Sequence, residues 1–265
     1  MKVVLFCGGK GMRMREFSES IPKPMVPIGN RPVLWHLMRY YAHYGHTDFI
    51  ICLGHMGNAI KEYFLNYQEW VSNDFILSDG GSQVELLGSD TDDWRMTFVD
   101  TGIDSNIGQR LLAVRGYLDE EPMFLANYAD GLSDAPLPEM VDNLRSSGKV
   151  ASFLCIKPSQ SFHVVDFDDA GVVRALRAVE DTDIRINGGF FVLSQRIFDY
   201  MRPGEELVQA PFTRLIADDE LVAFRHDGFW AGMDTFKDRQ ELDEMYSRGG
   251  AGWEVWKHGG PPEGT

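Results

Sequence analysis

Positive charge is scarce in this sequence: its 265 residues hold 25 Lys and Arg against 40 Asp and Glu, a formal net charge of -15. Nucleic acid and anionic membranes both reward clustered Lys and Arg, so neither is expected as a partner. Any anionic substrate must be caught locally, which raises the weight of each cation near a candidate pocket and favours a bound metal to offset phosphate charge. Cysteine is scarcer still. Cys7, Cys52 and Cys155 each stand in an apolar run without C-x-x-C spacing, as buried thiols in a reducing compartment would. No apolar run approaches the roughly 20 residues that span a bilayer. Met1-Lys2 leads directly into a strand, so no signal peptide is evident and the cytoplasm is the expected location.

What is there begins with a strand-length run, Lys2 to Cys7, that breaks into Gly8-Gly9-Lys10-Gly11-Met12-Arg13. Glycines after a buried strand let the backbone pass close to a ligand and turn N–H groups toward phosphate oxygens. Glycine-rich turns also occur in α/β proteins that bind nothing there. The run lacks the Gly-Lys-Ser/Thr ending of a P-loop and does not spell G-x-G-x-x-G. Arg13 and the proline-stiffened Pro22-Lys23-Pro24-Met25-Val26-Pro27 put two cations, Arg13 and Lys23, beside one candidate anion pocket.

Downstream, Val33, Leu34, Leu37, Met38, Tyr41 and Ala42 recur at helical spacing up to Gly45. Residues 49–53 read as a buried strand, and a helix follows through Ile60, Tyr63 and Phe64. This β-α-β-α alternation predicts a largely parallel sheet whose carboxyl edge binds ligands. Residues 74–93 are a polar loop or hairpin excursion. A strand at 95–99 leads through Asp100-Thr101-Gly102 to Arg110 and a helix through Leu112, Val114 and Tyr117. Thr101 and Arg110 are either ligand contacts or a helix cap and a surface arginine.

Met123 to Ala126 reads as a buried strand running into Asn127-Tyr128-Ala129-Asp130-Gly131. A carboxylate there lies where the sheet edge opens, a metal-ligand placement, although Asp-Gly is also a common turn. A helix through Leu137 and Leu144, a strand at 150–156 and a hairpin around Asp168-Asp169-Ala170-Gly171 come next. In Ile186-Asn187-Gly188-Gly189-Phe190-Phe191 the paired glycines predict a bulge or a close ligand approach. Helices through Ile197 and Tyr200 and through Phe212 and Ile216 precede a strand at 221–224. Asp234 then stands before the last helix as a second candidate carboxylate or as that helix's N-cap. Residues 1–248 make one α/β domain; 249–265 are a Gly- and Pro-rich tail, partly disordered, with Trp253 and Trp256 to clamp it. His36, His43 and His46 fall in or beside a helix and read as structural.

The glycine run with Lys-Pro-Met resembles the G-G-x-G-T-R-L…K-P-K-P-M signature of the sugar-phosphate nucleotidyltransferases, most closely the glucose-1-phosphate cytidylyltransferases. V-D-T-G…G-x-R-L, Y-x-D-G, I-N-G-G-F-F and G-F-W…M-D-T follow in that family's order. The resemblance implies a Rossmann-like three-layer α/β/α sandwich with a mixed, mostly parallel sheet and a small β insertion. It implies attack of a sugar 1-phosphate on the α-phosphorus of a nucleoside triphosphate, CTP favoured, with Mg²⁺ as cofactor and a homo-oligomeric enzyme. Arg13 and Lys23 would be catalytic. Leu5, Cys7, Gly8, Gly9, Lys10, Gly11, Met12, Arg13, Thr101, Arg110, Tyr128 and Ala129 would meet the nucleotide. Lys23, Asn187 and Gly188 would meet the acceptor, and Asp130 with Asp234 the metal.

Two departures stand out. Ala129 occupies a position where the family has glycine. The family's Glu-Lys-Pro before I-N-G-G-F-F is missing, replaced around Arg177-Ala178-Val179-Glu180; Arg177 or Arg185 could restore the lost charge from a shifted position. That leaves open a different phosphorylated acceptor, such as a modified sugar or cyclitol, or a catalytically silent homologue that binds a sugar nucleotide.

Overall fold

The computed structural model describes residues 1–9, 21–158 and 162–257. Strands β1 (Val3–Phe6), β2 (Pro27–Ile28), β3 (Arg31–Pro32), β4 (Asp48–Leu53), β5 (Phe75–Ser78), β6 (Gln83–Leu86), β7 (Arg95–Asp100) and β8 (Met123–Asn127) occupy the first half. β9 (Gly131–Ser133), β10 (Ala151–Ile156), β11 (His163–Phe167), β12 (Val173–Ala178), β13 (Ile186–Ser194), β14 (Leu221–His226) and β15 (Trp230–Gly232) follow. The described helices are α1 (Val33–His43), α2 (Gly57–Leu65), α3 (Ile107–Ala113), α4 (Leu137–Ser147), α5 (Ala210–Ala217) and α6 (Phe236–Ser247).

Seven strands form the central sheet in the order β14-β10-β13-β8-β1-β4-β7. Every neighbouring pair is parallel except those of β13, which runs against both β10 and β8. Apolar side chains fill both faces because successive residues of a strand point to opposite sides. Val3 and Leu5 of β1 face one core with α1, α4 and Trp253, while Val4 and Phe6 face the other with α3 and α5. The result is the expected α/β/α sandwich. The small β insertion is the β11–β12 hairpin, and residues 74–93 fold a second hairpin, β5–β6.

Three local expectations need correcting. The helix through Ile197 and Tyr200 is a 3-10 segment, Gln195–Tyr200, and Pro203 bars the helical region to the residue before it, so the turn does not propagate. The helix expected through Tyr117 stops at Ala113 and continues only as a 3-10 turn, Arg115–Tyr117, where Gly116 weakens helical order. Cys155 is half-buried, whereas Cys7 and Cys52 are buried as expected. Trp253 is buried, with its ring 5.9 Å from His36 and 5.6 Å from Phe229. Trp256 packs edge-on to Trp35, so residues 251–257 lie against the body. Among the described residues no helix is long and apolar enough to cross a membrane.

Candidate active site

The carboxyl ends of β1, β4, β7, β8, β10 and β14 open on one edge of the sheet, and the start of the reversed β13 joins them. Three side chains meet there. Lys23, in the 3-10 turn Lys23–Met25, donates to Asp130 Oδ2 at 2.6 Å and to Asp234 Oδ1 at 2.8 Å. The lysine is 13% exposed and the carboxylates 34% and 48%. Each chain segment delivers its residue for a local reason. Pro22 and Pro24 fix the turn around Lys23. Asp130 follows β8 and leads into β9, which pairs with β15 so that Gly131 faces Gly232, two residues before Asp234. The N-cap of α6 is Thr235, in a capping box with Asp238, so Asp234 is not the cap and its carboxylate reaches Lys23.

Burial works against the Lys23 ammonium, but the charges and hydrogen bonds of Asp130 and Asp234 outweigh it and hold its pKa above the ordinary lysine value. Burial raises the Asp130 carboxyl, and the Asp234 charge adds to the rise, while Lys23 pulls it back. The trio carries a net charge of about -1 with all three groups ionised.

The nucleotide loop is described only up to Gly9; Lys10, Gly11, Met12 and Arg13 lie outside the described residues. Leu5 and Cys7 are fully buried, so only their main chain can face a ligand. The Gly8 carbonyl is turned inward and accepts from Arg110 Nη2 at 2.9 Å and from the His55 N–H at 3.3 Å. A Cβ on Gly8 would lie 2.1 Å from Arg110 Nη1, whereas one on Gly9 would meet nothing within 4 Å among the described residues.

Arg110 is no surface arginine. It is 2% exposed and donates to Leu53 O at 3.0 Å, Thr101 Oγ1 at 2.7 Å and Gly102 O at 2.9 Å, as well as to Gly8. Thr101 is itself buried and donates to Leu53 O, while the cap of α3 is Asn106. The two residues therefore meet, as a clamp beneath the ends of β1, β4 and β7.

Tyr128 and Asn187 come together across the β8–β13 edge, with Asn187 Nδ2 donating to Tyr128 Oη at 3.3 Å and Asn187 Oδ1 accepting from the Gly189 N–H. Gly189 has φ 78°, and a β10–β13 register shift marks the expected bulge. A Cβ on Gly188 would press on Leu154 and Trp230. Ala129 has φ 63° and is completely buried, so a left-handed backbone explains glycine at this position in the family. Arg177 is not brought to the site: it pairs with Asp166 across the β11–β12 hairpin. Arg185 is nearer, held by Asp227 at 2.7 Å beside a cavity of about 640 Å³. His36 is a core residue, its ring hydrogen-bonded to Ile28 O and Trp253.

Sequence reasoning missed Lys157, Arg225 and His226 in the wall of that cavity, and gave Trp230, also in the wall, no role beyond the G-F-W match. His226 Nε2 lies 2.6 Å from Asp134 Oδ1, and Trp230 Nε1 donates to Gly188 O at 2.8 Å. The rule that singled out Asp130 would have found them, since Lys157 follows β10 and Arg225-His226 close β14 at the same edge.

A strand ending at the buried Gly8, a lysine between two carboxylates and a mixed α/β sheet suit a phosphate-handling α/β protein, and the nucleotidyl transferase family model matches residues 2–238. The chain belongs to that family. It is 39% identical to the "Probable glucose-1-phosphate cytidylyltransferase" of Bacillus subtilis (strain 168), over 97% of this chain and 100% of that protein. It is 38% identical to the glucose-1-phosphate cytidylyltransferase of Salmonella typhi, with the same coverage. The crystal structure of a UDP-glucose pyrophosphorylase complexed with UDP-glucose superposes with a TM-score of 0.68 at 16% identity, over 94% of this chain and 98% of that one; it shares the fold.

Proposed function

We propose that the chain transfers CMP from CTP to the phosphate of a sugar 1-phosphate, with glucose 1-phosphate as the reference acceptor, and releases pyrophosphate. The observation that carries the reading is the Lys23–Asp130–Asp234 cluster at the sheet's carboxyl edge, in a chain so similar to proteins named for that activity. An acceptor phosphate oxygen attacks the α-phosphorus. A new P–O bond forms as the bond to the β-phosphate's bridging oxygen breaks, and pyrophosphate leaves with the electron pair. The acceptor phosphate is already a dianion near neutral pH, so no histidine is needed as base. The barrier is alignment of two mutually repelling anions and neutralisation of charge on phosphoryl oxygens. Lys23 supplies a fixed positive charge for that purpose, and Tyr128 with Asn187 frames the side where the acceptor lies.

The residues fit Mg²⁺. Asp130 and Asp234 already converge on one positive charge, the Lys23 ammonium, and Mg²⁺ habitually takes one or two carboxylates plus substrate phosphates and water. Among the described residues no group of three His, Cys, Asp or Glu could cage a metal, so substrate oxygens would complete the set. A bound Mg²⁺ would supply Lewis-acid neutralisation of phosphoryl charge, which a trio of net charge about -1 needs.

A second acceptor is favoured by one observation: Glu-Lys-Pro is missing and Arg177 is paired away from the site. Three free thiols fit a reducing cytoplasm. Phe75, Ile76, Leu77, Val84 and Leu86 are 40–58% exposed on the β5–β6 hairpin; a two-stranded hairpin is marginal alone, which favours a homo-oligomer, testable by light scattering. The reaction is tested by pyrophosphate release from each nucleoside triphosphate with glucose 1-phosphate and Mg²⁺. CTP should lead, and Asp130→Asn or Asp234→Asn should each cut turnover on the order of 10². Preference for ATP or GTP would reject the base assignment, and near-normal turnover in both variants at limiting Mg²⁺ would reject the metal assignment.

A further inference from the structure

The cavity of about 640 Å³ at the ends of β10 and β14 concentrates positive charge in a chain that has little. Lys157, Arg185 and Arg225 line it against two carboxylates, Asp183 and Asp227. Asp227 is already committed to Arg185 at 2.7 Å. Its carboxyl is held below the ordinary aspartate value by that hydrogen bond first, then by the charges of Arg185, Lys157 and Arg225. The three cations therefore share one field. Among the described residues the Arg225 side chain makes no hydrogen bond and the Lys157 ammonium donates only to Glu180 O at 3.3 Å, so both retain donors to offer.

The cavity adjoins segments that lead to the reaction centre. Its wall Trp230 hydrogen-bonds Gly188 O, beside Asn187, and lies on the β15 strand that leads to Asp234. Trp230 stands four positions before Asp234, at most roughly 14 Å of extended chain, which a phosphorylated hexose-sized acceptor can bridge. The reacting phosphate needs neither Lys157 nor Arg225, since Lys23 stands at the carboxylates.

We propose that the acceptor carries a second anionic group besides the phosphate that reacts, and that Lys157, Arg185 and Arg225 hold it in this cavity. The inference rests on the sugar-1-phosphate transfer reading. A carboxylate and a second phosphate share the chemistry that three cations recognise; Arg225 suits either by bidentate contact, while Arg185, held by Cys155 O, His226 O and Asp227, adds its charge.

The test compares CTP-dependent pyrophosphate release with glucose 1-phosphate, glucose 1,6-bisphosphate and glucuronic acid 1-phosphate. Charge-assisted contacts of this kind are worth about ten- to a hundredfold, so kcat/KM for one doubly anionic acceptor should exceed that for glucose 1-phosphate at least tenfold. The winning arm identifies phosphate or carboxylate. The double variant Lys157→Gln, Arg225→Gln changes two exposed side chains and should reduce the preference to under threefold. Equal or lower kcat/KM for both doubly anionic acceptors overturns the proposal. If no acceptor turns over, the transfer reading fails separately, and calorimetric binding of the same three compounds decides the cavity. A tenfold tighter doubly anionic compound, equalised in the double variant, supports it, and equal binding by the unaltered protein overturns it.

Discussion

Replacing Arg110 by Met tests whether this arginine is a clamp or a ligand contact. Met matches much of the arginine's length, so the cavity left is small and the hydrogen bonds dominate the outcome. Four are lost, to Gly8 O, Leu53 O, Thr101 Oγ1 and Gly102 O. Leu53 O keeps the Thr101 N–H and hydroxyl, and Gly8 O keeps the His55 N–H. Gly102 O is left without a described partner. An orphaned acceptor costs roughly 1–3 kcal/mol, and a hydrogen bond to a charged group is worth a similar amount, less what the guanidinium regains by not being desolvated. The sum is a loss of about 2–4 kcal/mol, which should lower the urea midpoint by on the order of 1 M at unchanged slope. Arg110→Lys keeps three donors without the planar fork and should lose less. Because the clamp holds Gly8 against the ends of β4 and β7, the KM for CTP should rise in step with the stability loss across the two variants. A loss under about 0.5 kcal/mol in Arg110→Met, together with a tenfold rise in that KM, would refute the clamp and put the guanidinium on the nucleotide.

Other outcomes follow from single positions. Ala129→Gly relieves a left-handed alanine but gives up a buried methyl, so its stability should stay within about 0.5 kcal/mol of the parent, while Ala126→Gly, equally buried in β8, should cost roughly 1–2 kcal/mol; equal losses in urea melts would show that φ at 129 carries no strain. Gly189→Ala must adopt φ 78° with its methyl 2.8 Å from Tyr128 and should cost about 1–3 kcal/mol; no change in melting temperature would contradict it. Burial holds the His36 pKa down to about 4, below the ordinary 6.5. The unfolded chain therefore takes up a proton that the folded one refuses, and stability should fall by about 3 kcal/mol as pH drops from 6.5 through 4. His36→Gln should flatten that part of the profile, and an unchanged slope would assign the loss to other groups.

The sheet was legible because its strands are buried on both faces and read as short apolar runs, such as residues 49–53, between turn residues. The glycine-marked bulge in β13 was legible for the same local reason. Where a chain segment's form depends on what happens two or three residues beyond it, the reading failed: Ile197 and Tyr200 have helical spacing, but Pro203 confines them to a 3-10 turn. For Arg110 the sequence left a ligand contact and a surface arginine open, and the structure removes the second; helical spacing says which face a residue occupies and nothing of the carbonyls that converge on it. The cations Lys157 and Arg225 were passed over although the same strand-end rule reaches them, because the rule was applied to carboxylates and not to cations; the pairing of β10 with β14 makes the two neighbours.

The central trio shows what a single sequence can carry across distance. Lys23 lies 107 residues from Asp130 and 211 from Asp234, and no local pattern links them. Each was nonetheless found, because each ends or borders an apolar strand or a rigid turn where a charge is cheap to keep ionised. A parallel sheet brings such endings to one edge, whatever their separation in the chain. The reversed β13 tightens this rule, since it brings the start of a strand, Asn187-Gly188, to an edge otherwise made of strand ends. The side of the site proposed for the acceptor is therefore built from β13's beginning and the tips of β10 and β14, and it is at those tips that Lys157 and Arg225 stand.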